Sequence, residues 1–253
     1  MNFLKKSYNK NMRKKILLFI NNKYVQAVLY NPFSDYIVWS ILSFVRTEAK
    51  KIPKSASVLD AGAGELRYKK YFDHCKYVSQ DLCVGDKEWY FNDIDIKSNI
   101  YNIPVENESF DYILCAQVLE HLEFPDLAFK EFSRILKKNG KLLLTAPLGQ
   151  GEHQTPYDFF RYTKYSLKSF GERYSLKLSY IKPAGGIFIN LEYILWQAKD
   201  VLVPFRAFVP LKYFFYIIFL PFKYISGIVF VVLDIFDRDK NYTNNYSCIY
   251  EKK

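Results

Sequence analysis

The chain has 253 residues, half of them hydrophobic and 19% aromatic, and its 36 Lys and Arg outnumber its 26 Asp and Glu for a formal net charge of +10. That length and apolar content can bury a sizeable core, which excludes an intrinsically disordered chain. Cys75, Cys83, Cys115 and Cys248 form no C-x-x-C pair and Cys115 falls in an expected buried strand, so reduced thiols are expected over a disulfide framework.

Residues 1–34 contain no acid and carry Lys5, Lys6, Lys10, Arg13, Lys14, Lys15 and Lys23. The apolar run Ile16–Ile20 is too short for a secretory segment and no small-residue cleavage site follows it, so no signal peptide is expected. Residues 1–54 read as a basic helical cap of two helices, the second N-capped by Ser34 and running to Lys51. Such a surface suits anionic lipid or nucleic acid.

Val58-Leu59-Asp60-Ala61-Gly62-Ala63-Gly64 is an apolar run ending in an acid and two closely spaced glycines, the pattern of a strand handing over to a turn that cradles a nucleotide. A second strand, Lys76–Asp81, ends in an acid about 20 residues beyond Asp60, the spacing at which a carboxylate meets a ribose. Phe110–Cys115 is a further strand. Pro125–Lys138 is a helix with Ala128, Phe129, Phe132, Ile135 and Leu136 on one face, closed by Gly140 as its C-terminal cap. Lys141–Pro147 follows as a strand, then a sixth at about Tyr174–Lys182 and a last at Tyr246–Glu251. Alternation of this kind implies an α/β, doubly wound sheet with ligands beyond the carboxyl ends of its strands. Arg67 stands where the third glycine of G-x-G-x-x-G belongs, which disfavours a nicotinamide enzyme, and no Gly-Lys-Ser/Thr completes a P-loop.

Together with Asn102-Ile103-Pro104 before Ser109–Cys115, Val118-Leu119-Glu120-His121-Leu122 and Phe132–Leu142, these segments resemble a class I S-adenosylmethionine-dependent methyltransferase over roughly residues 55–182. The resemblance implies a Rossmann-like, mostly parallel sheet with an antiparallel last strand, and S-adenosyl-L-methionine as cofactor. It would place Asp60, Ala61, Gly62 and Gly64 at the methionine end, Asp81 at the ribose with Leu82 next to it, Asn99 and Ile100 beside the adenine, and Cys115 with Ala116 closing the pocket. Two positions depart from the pattern: Asn99 stands where relatives place an acid, and Gln117 replaces a glutamate. No N-P-P-Y or D-P-P-Y follows the fourth strand, which speaks against nucleic acid as the acceptor.

The segment Gly151–Thr163 resembles a recurring feature of one bacterial branch of these enzymes. His153 is the candidate general base, because its ordinary pKa lies near neutrality. Asp158 and Arg161 are candidates for the same chemistry or, alternatively, an ion pair that pins the loop. His121 is expected to order the turn after the fourth strand. The histidines are scattered relative to the cysteines, so no metal site is expected.

Residues 187–240 read as an apolar insertion between the core at 55–186 and its last strand within 241–253. From Val201 to Val232 the only charges are Arg206, Lys212 and Lys223, and Tyr213–Ile235 has the length of a membrane span interrupted by Pro221, Lys223 and Gly227. Strands on either side must share one sheet, so the chain leaves and returns on one side. An in-plane anchor on the inner face of the cell membrane fits this best, with a lid or a dimer interface as alternatives. The resulting expectation is a cytoplasmic, membrane-peripheral methyltransferase acting on an oxygen, less often a nitrogen, of a small or lipid-linked acceptor such as a cell-surface glycan precursor. A quinone or lipid methyltransferase and a non-catalytic adapter that keeps the fold are the alternatives, and the oligomeric state is open.

Overall fold

The computed structural model describes residues 30–84, 90–202 and 209–253, with the side chains of 199–218 and 220 excepted. The first expected helix and the basic cluster at residues 5–23 lie outside the described residues. The chain divides into two units, Ile41–Ala184 with Tyr242–Lys253, and Met1–Ser40 with Gly185–Asn241.

The larger unit is built on a seven-stranded sheet. Its strands are β1 (Ser57–Ala61), β2 (Lys76–Asp81), β3 (Ile96–Lys97), β4 (Phe110–Ala116), β5 (Leu136–Pro147), β6 (Leu176–Pro183) and β7 (Asn245–Lys252). They lie in the order β3-β2-β1-β4-β5-β7-β6, with β7 antiparallel to both neighbours and every other pairing parallel. Val58, Leu59 and Ala61 of β1 and Ile113, Leu114 and Cys115 of β4 are wholly buried, as central strands covered on both faces require.

Helix α1 (Tyr36–Ala49) precedes the sheet, α2 (Pro125–Ile135) joins β4 to β5, and α3 (Lys164–Arg173) joins β5 to β6. Pro125 opens α2, where its missing N–H costs nothing. The helix buries Phe129, Phe132 and Ile135 completely, each contributing roughly 1.5–3 kcal/mol. The Phe129 ring stacks on Phe170 of α3 at 5.3 Å and meets Tyr250 of β7 edge-on at 5.6 Å, so one side chain ties two helices to the sheet. Thr163 caps α3 by accepting from the Ser166 N–H at 3.2 Å.

Three boundaries correct the sequence reading. α2 ends at Ile135 because Leu136 is extended and already pairs with Phe110, so β5 begins five residues earlier than Lys141. Gly140 lies inside β5 and caps no helix, where a Cβ would meet the carbonyl oxygens of Lys137 and Asp111. The register steps between Phe110↔Leu136 and Tyr112↔Lys141, the extra residues being absorbed around Asn139 at φ +61° while the Lys137 ammonium anchors to Asp111 at 2.9 Å. Third, Asp35 caps α1 by accepting from the Val38 N–H at 3.1 Å, whereas Ser34 belongs to the preceding turn, its N–H donating to Asn31 Oδ1, and the helix stops at Ala49, short of Lys51.

In the smaller unit, α4 (Ile187–Leu202) and α5 (Val209–Asp234) pack on one another. The Trp196 indole N–H donates to Ser226 Oγ at 3.2 Å, and the Lys223 ammonium lies 5.5 Å from the Trp196 ring centre. Asp234 at the end of α5 accepts from the N–H groups of Gly186 and Ile189, and Asp237 from that of Ile187, so two acids take up three of the donors at the start of α4. Lys240 pairs with Asp234. α5 runs on through Pro221, Lys223 and Gly227, where the sequence suggests an interruption. No helix among the described residues is long and apolar enough to cross a membrane.

Candidate active site

The carboxyl ends of β1 and β2 are bound together by the glycine turn. The N–H groups of Gly62 and Ala63 donate to the Gln80 carbonyl at 2.8 and 2.9 Å, and the Gly64 N–H donates to Asp81 Oδ2 at 2.9 Å. Gly62 and Gly64 have φ of +76° and +53°, and a Cβ on Gly62 would overlap the Val118 methyls beyond β4. Asp81 Oδ1 accepts from the Cys83 N–H at 2.6 Å, so one carboxylate fixes both the turn and the exit of β2. Each of its oxygens keeps a lone pair for a further donor.

Asp60 is buried and accepts from the Tyr77 hydroxyl at 2.7 Å. Burial pushes its pKa up to about 7; the Tyr77 hydrogen bond opposes that rise and the Asp81 charge adds to it. Gln80, also buried, donates its amide to the Ser98 carbonyl at 2.6 Å. Among the described residues, Gln80 Oε1 and Ser98 Oγ are buried without hydrogen-bond partners, an arrangement that fits a polar ligand along the β2 edge.

The other expected cofactor positions lie just after β2, after β3 and at the carboxyl end of β4. Leu82 is exposed on the rim, Ile100 is buried, and exposed Asn99 accepts from the Tyr101 N–H at 2.9 Å in a local turn. Cys115 is fully buried in β4, its thiol pushed well above the ordinary range by burial and then by the charges of Glu120 and Asp60. A recess lined by Pro53, Lys54, Asp111, Lys137 and Lys138 lies at the amino ends of β1 and β4, away from these residues.

The loop after β5 meets the turn after β4. Arg161 grips Asp158 through two hydrogen bonds of 2.7 and 2.8 Å and also donates to the carbonyls of Gln150, Gly151 and Phe160. Asp158 accepts from the His153 N–H at 2.8 Å, and its pKa is held down to about 2, chiefly by Arg161. These are the contacts of a pin for the loop, the second of the two roles expected for the pair.

His153 is delivered by that pin to Glu120 and His121. Glu120 is 0% exposed and neither carboxylate oxygen has a hydrogen-bond partner among the described residues. Burial pushes its pKa up to about 8. His121 Nε2 and His153 Nε2 lie 3.8 and 3.9 Å from Glu120 Oε1, and the two imidazoles meet edge to face at 4.8 Å. His121 Nδ1 lies 2.5 Å from the Tyr157 carbonyl, joining its turn to the loop after β5. Glu120 has no place in the sequence reading beyond its motif, because its partner lies more than 30 residues away. The usable signal is topological: β4 and β5 are neighbours, so the loops at their carboxyl ends converge.

This strand order, with an antiparallel β7 and a glycine turn after β1, is the Rossmann-like fold of class I S-adenosylmethionine-dependent methyltransferases. Residues 59–144 match the family model described as a methyltransferase domain. An uncharacterised protein of Methanocaldococcus jannaschii is 28% identical over 113 residues, 44% of this chain and 49% of that protein, so the match spans about half the curated relative's length. Among solved structures, a putative methyltransferase from Bacillus halodurans aligns with a TM-score of 0.53 at 15% identity, covering 84% of this chain and 99% of that one. Phosphoethanolamine N-methyltransferase 2 of Haemonchus contortus, in complex with S-adenosyl-L-methionine, aligns with a TM-score of 0.54 at 13% identity, covering 92% and 59%. At these identities the likeness is one of fold.

Proposed function

We propose that the protein transfers the methyl group of S-adenosyl-L-methionine to an oxygen of a small or lipid-linked acceptor at a membrane surface. The observation that carries this reading is the tie of the Gly64 N–H to Asp81, which sets a turn of Gly62, Ala63 and Gly64 beside a buried acid, Asp60, at the carboxyl ends of β1 and β2. Bound there, the cofactor supplies an electrophilic methyl on a sulfonium. Asp60, Ala61, Gly62 and Gly64 hold its methionine end, Asp81 accepts from the ribose, and Ile100 and Asn99 border the base. Val118 lies against Gly62, so the turn that carries Glu120 and His121 flanks the same site and marks the acceptor side. An acceptor hydroxyl held on that side would have to lose its proton on taking the methyl group that the bound cofactor would supply. His153 accepts that proton through Nε2, while Asp158 and Arg161 position its loop.

The apolar face of α4 and α5 supports a cytoplasmic protein on the inner face of the membrane. Leu195, Phe222, Ile225, Val229 and Val232 are all exposed there. Such a face suits a glycan precursor on a lipid carrier, with a quinone or another lipid as the alternative acceptor. An adapter that keeps the fold without catalysis is favoured by one observation, the Asn99 carboxamide oxygen being engaged by the Tyr101 N–H.

Calorimetric titration with S-adenosylhomocysteine tests the reading. Micromolar binding, about 8 kcal/mol, is expected. Asp81→Ala should weaken it at least tenfold by removing acceptors for the ribose and for Gly64. A folded wild-type protein that shows no binding would establish the adapter instead.

A further inference from the structure

Glu120, His121 and His153 turn three acceptors toward one another with no donor between them. His121 Nδ1 lies 2.5 Å from the Tyr157 carbonyl, a contact that only an Nδ1–H can make, so the lone pair of the neutral ring is on Nε2. His153 Nδ1 lies 3.1 Å from the Gly151 carbonyl, which fixes the same tautomer. Both Nε2 lone pairs therefore face the Glu120 carboxylate at 3.8 and 3.9 Å, distances too long for hydrogen bonds. A fully buried carboxylate with neither oxygen hydrogen-bonded, facing two nitrogen lone pairs, is repulsive unless a proton or a metal cation lies among them.

We propose that Glu120, His121 and His153 bind a first-row divalent transition-metal ion of the zinc type. Two imidazoles and a carboxylate are a donor set for such ions. At metal–donor distances of about 2.0–2.2 Å, two donors on one ion lie up to about 4.3 Å apart, so Glu120 Oε1 is already in range of both nitrogens. The donor atoms all lie within 4.8 Å of one another, and a modest rotation of the rings closes the remainder. The supporting groups of a metal site are present as well. Each histidine donates its other nitrogen to a backbone carbonyl, and the Asp158–Arg161 pair holds the loop that brings His153 in. The His121 and His153 side chains are 15% and 19% exposed, so an ion has a way in while the carboxylate stays dry. Three protein donors leave at least one position for water or for an oxygen of an acceptor. In the metal-free chain His153 Nε2 is free to accept a proton, and in the loaded chain it holds the ion.

The proposal does not depend on the methyl-transfer reading, and its test needs neither cofactor nor acceptor. Full-length protein treated with chelator and dialysed is titrated with Zn2+ by calorimetry, and with Co2+ by visible absorption. One ion per chain should bind, with Co2+ bands typical of nitrogen and oxygen ligands and a rise in melting temperature. His153→Ala and Glu120→Gln should each lower the Zn2+ affinity at least about a hundredfold, whereas His74→Ala, whose ring contacts the Ile52 carbonyl, should leave it unchanged. Glu120→Gln keeps its shape and loses its charge, so it stays folded where an alanine could collapse the site. Zn2+ affinity equal in wild type and Glu120→Gln, or thiolate absorption in the Co2+ spectrum, would overturn the site. Stabilisation of the metal-free protein by Glu120→Gln with no metal response in wild type would show that a proton, not a metal, bridges the three groups. S-adenosylhomocysteine titrations of the same samples report separately on the cofactor site.

Discussion

The Tyr77 hydroxyl donates to Asp60 Oδ2 at 2.7 Å, joining the second residue of β2 to the buried acid one residue before the end of β1. This bond favours the carboxylate against burial, which favours the neutral acid. Tyr77→Phe should therefore raise the Asp60 pKa further and destabilise the ionised protein by roughly 1–3 kcal/mol. Binding of S-adenosylhomocysteine should weaken more at pH 6 than at pH 8, because the variant has less carboxylate at the lower pH. Equal affinity across that range would show that Asp60 does not meet the ligand as an anion.

The same acid gives stability an unusual pH dependence. Its ordinary pKa of 3.8 applies to the unfolded chain, and its folded value is about 7. Below pH 4 it is protonated in both states and contributes nothing. Between about 4 and 7 the unfolded chain ionises first, so the folded state binds more protons and stability falls as pH rises. Above 7 the full cost is present, on the order of a few kcal/mol. Urea denaturation of wild type and Asp60→Asn at pH 5 to 8 isolates this contribution, since the asparagine does not titrate. The difference in unfolding free energy should decline through this window, and a flat difference would remove the raised pKa.

Gly62 and Val118 make a steric prediction. A Cβ at Gly62 meets the Val118 methyls, and the backbone there is at φ +76°. Gly62→Ala should cost at least about 1 kcal/mol and abolish measurable binding of S-adenosylhomocysteine. Val118→Ala in the same chain should recover part of the stability by clearing the overlap. It should not recover all of it, because the left-handed backbone remains strained for alanine. Full recovery in the double variant would mean that the collision alone, and not the turn conformation, requires glycine.

The sheet was legible because its signals are local. Val58–Gly64 and Lys76–Asp81 each carry their own apolar run with an acid near its end, and the parallel pairing brings both acids to the carboxyl ends of the strands. The end of α2 was not legible, because Leu136 continues the helical apolar spacing of Phe132 and Ile135 and only its pairing with Phe110 makes it a strand residue. The N-cap of α1 went to Asp35 because Ser34 is engaged in the turn before it, a competition between neighbouring capping residues that spacing does not resolve. The convergence of Glu120, His121 and His153 depends on two loops from adjacent strands, so no window of sequence contains it.

The exposed apolar face of the smaller unit makes the last prediction, which concerns how the protein meets a membrane. α4 and α5 pack as a pair whose ends are tied by Asp234 and Asp237 to the start of α4, so the chain enters and leaves the pair at neighbouring points. No helix among the described residues is suited to a crossing, while Phe222, Ile225 and Val232 are left exposed. An in-plane helical pair should bind by apolar burial together with charge, and each Lys or Arg near an anionic surface adds about 1 kcal/mol. Co-sedimentation with vesicles should therefore be strong with anionic lipid, weak with zwitterionic lipid, and reduced by raising salt from 0.1 to about 0.5 M as the screening length shortens. Phe222→Ser with Ile225→Ser should reduce binding to anionic vesicles while leaving S-adenosylhomocysteine affinity unchanged. Attachment that resists both high salt and the loss of anionic lipid would identify an integral segment. If no vesicles bind and the protein dimerises through this face, with the serine variants monomeric, the surface is an interface between copies.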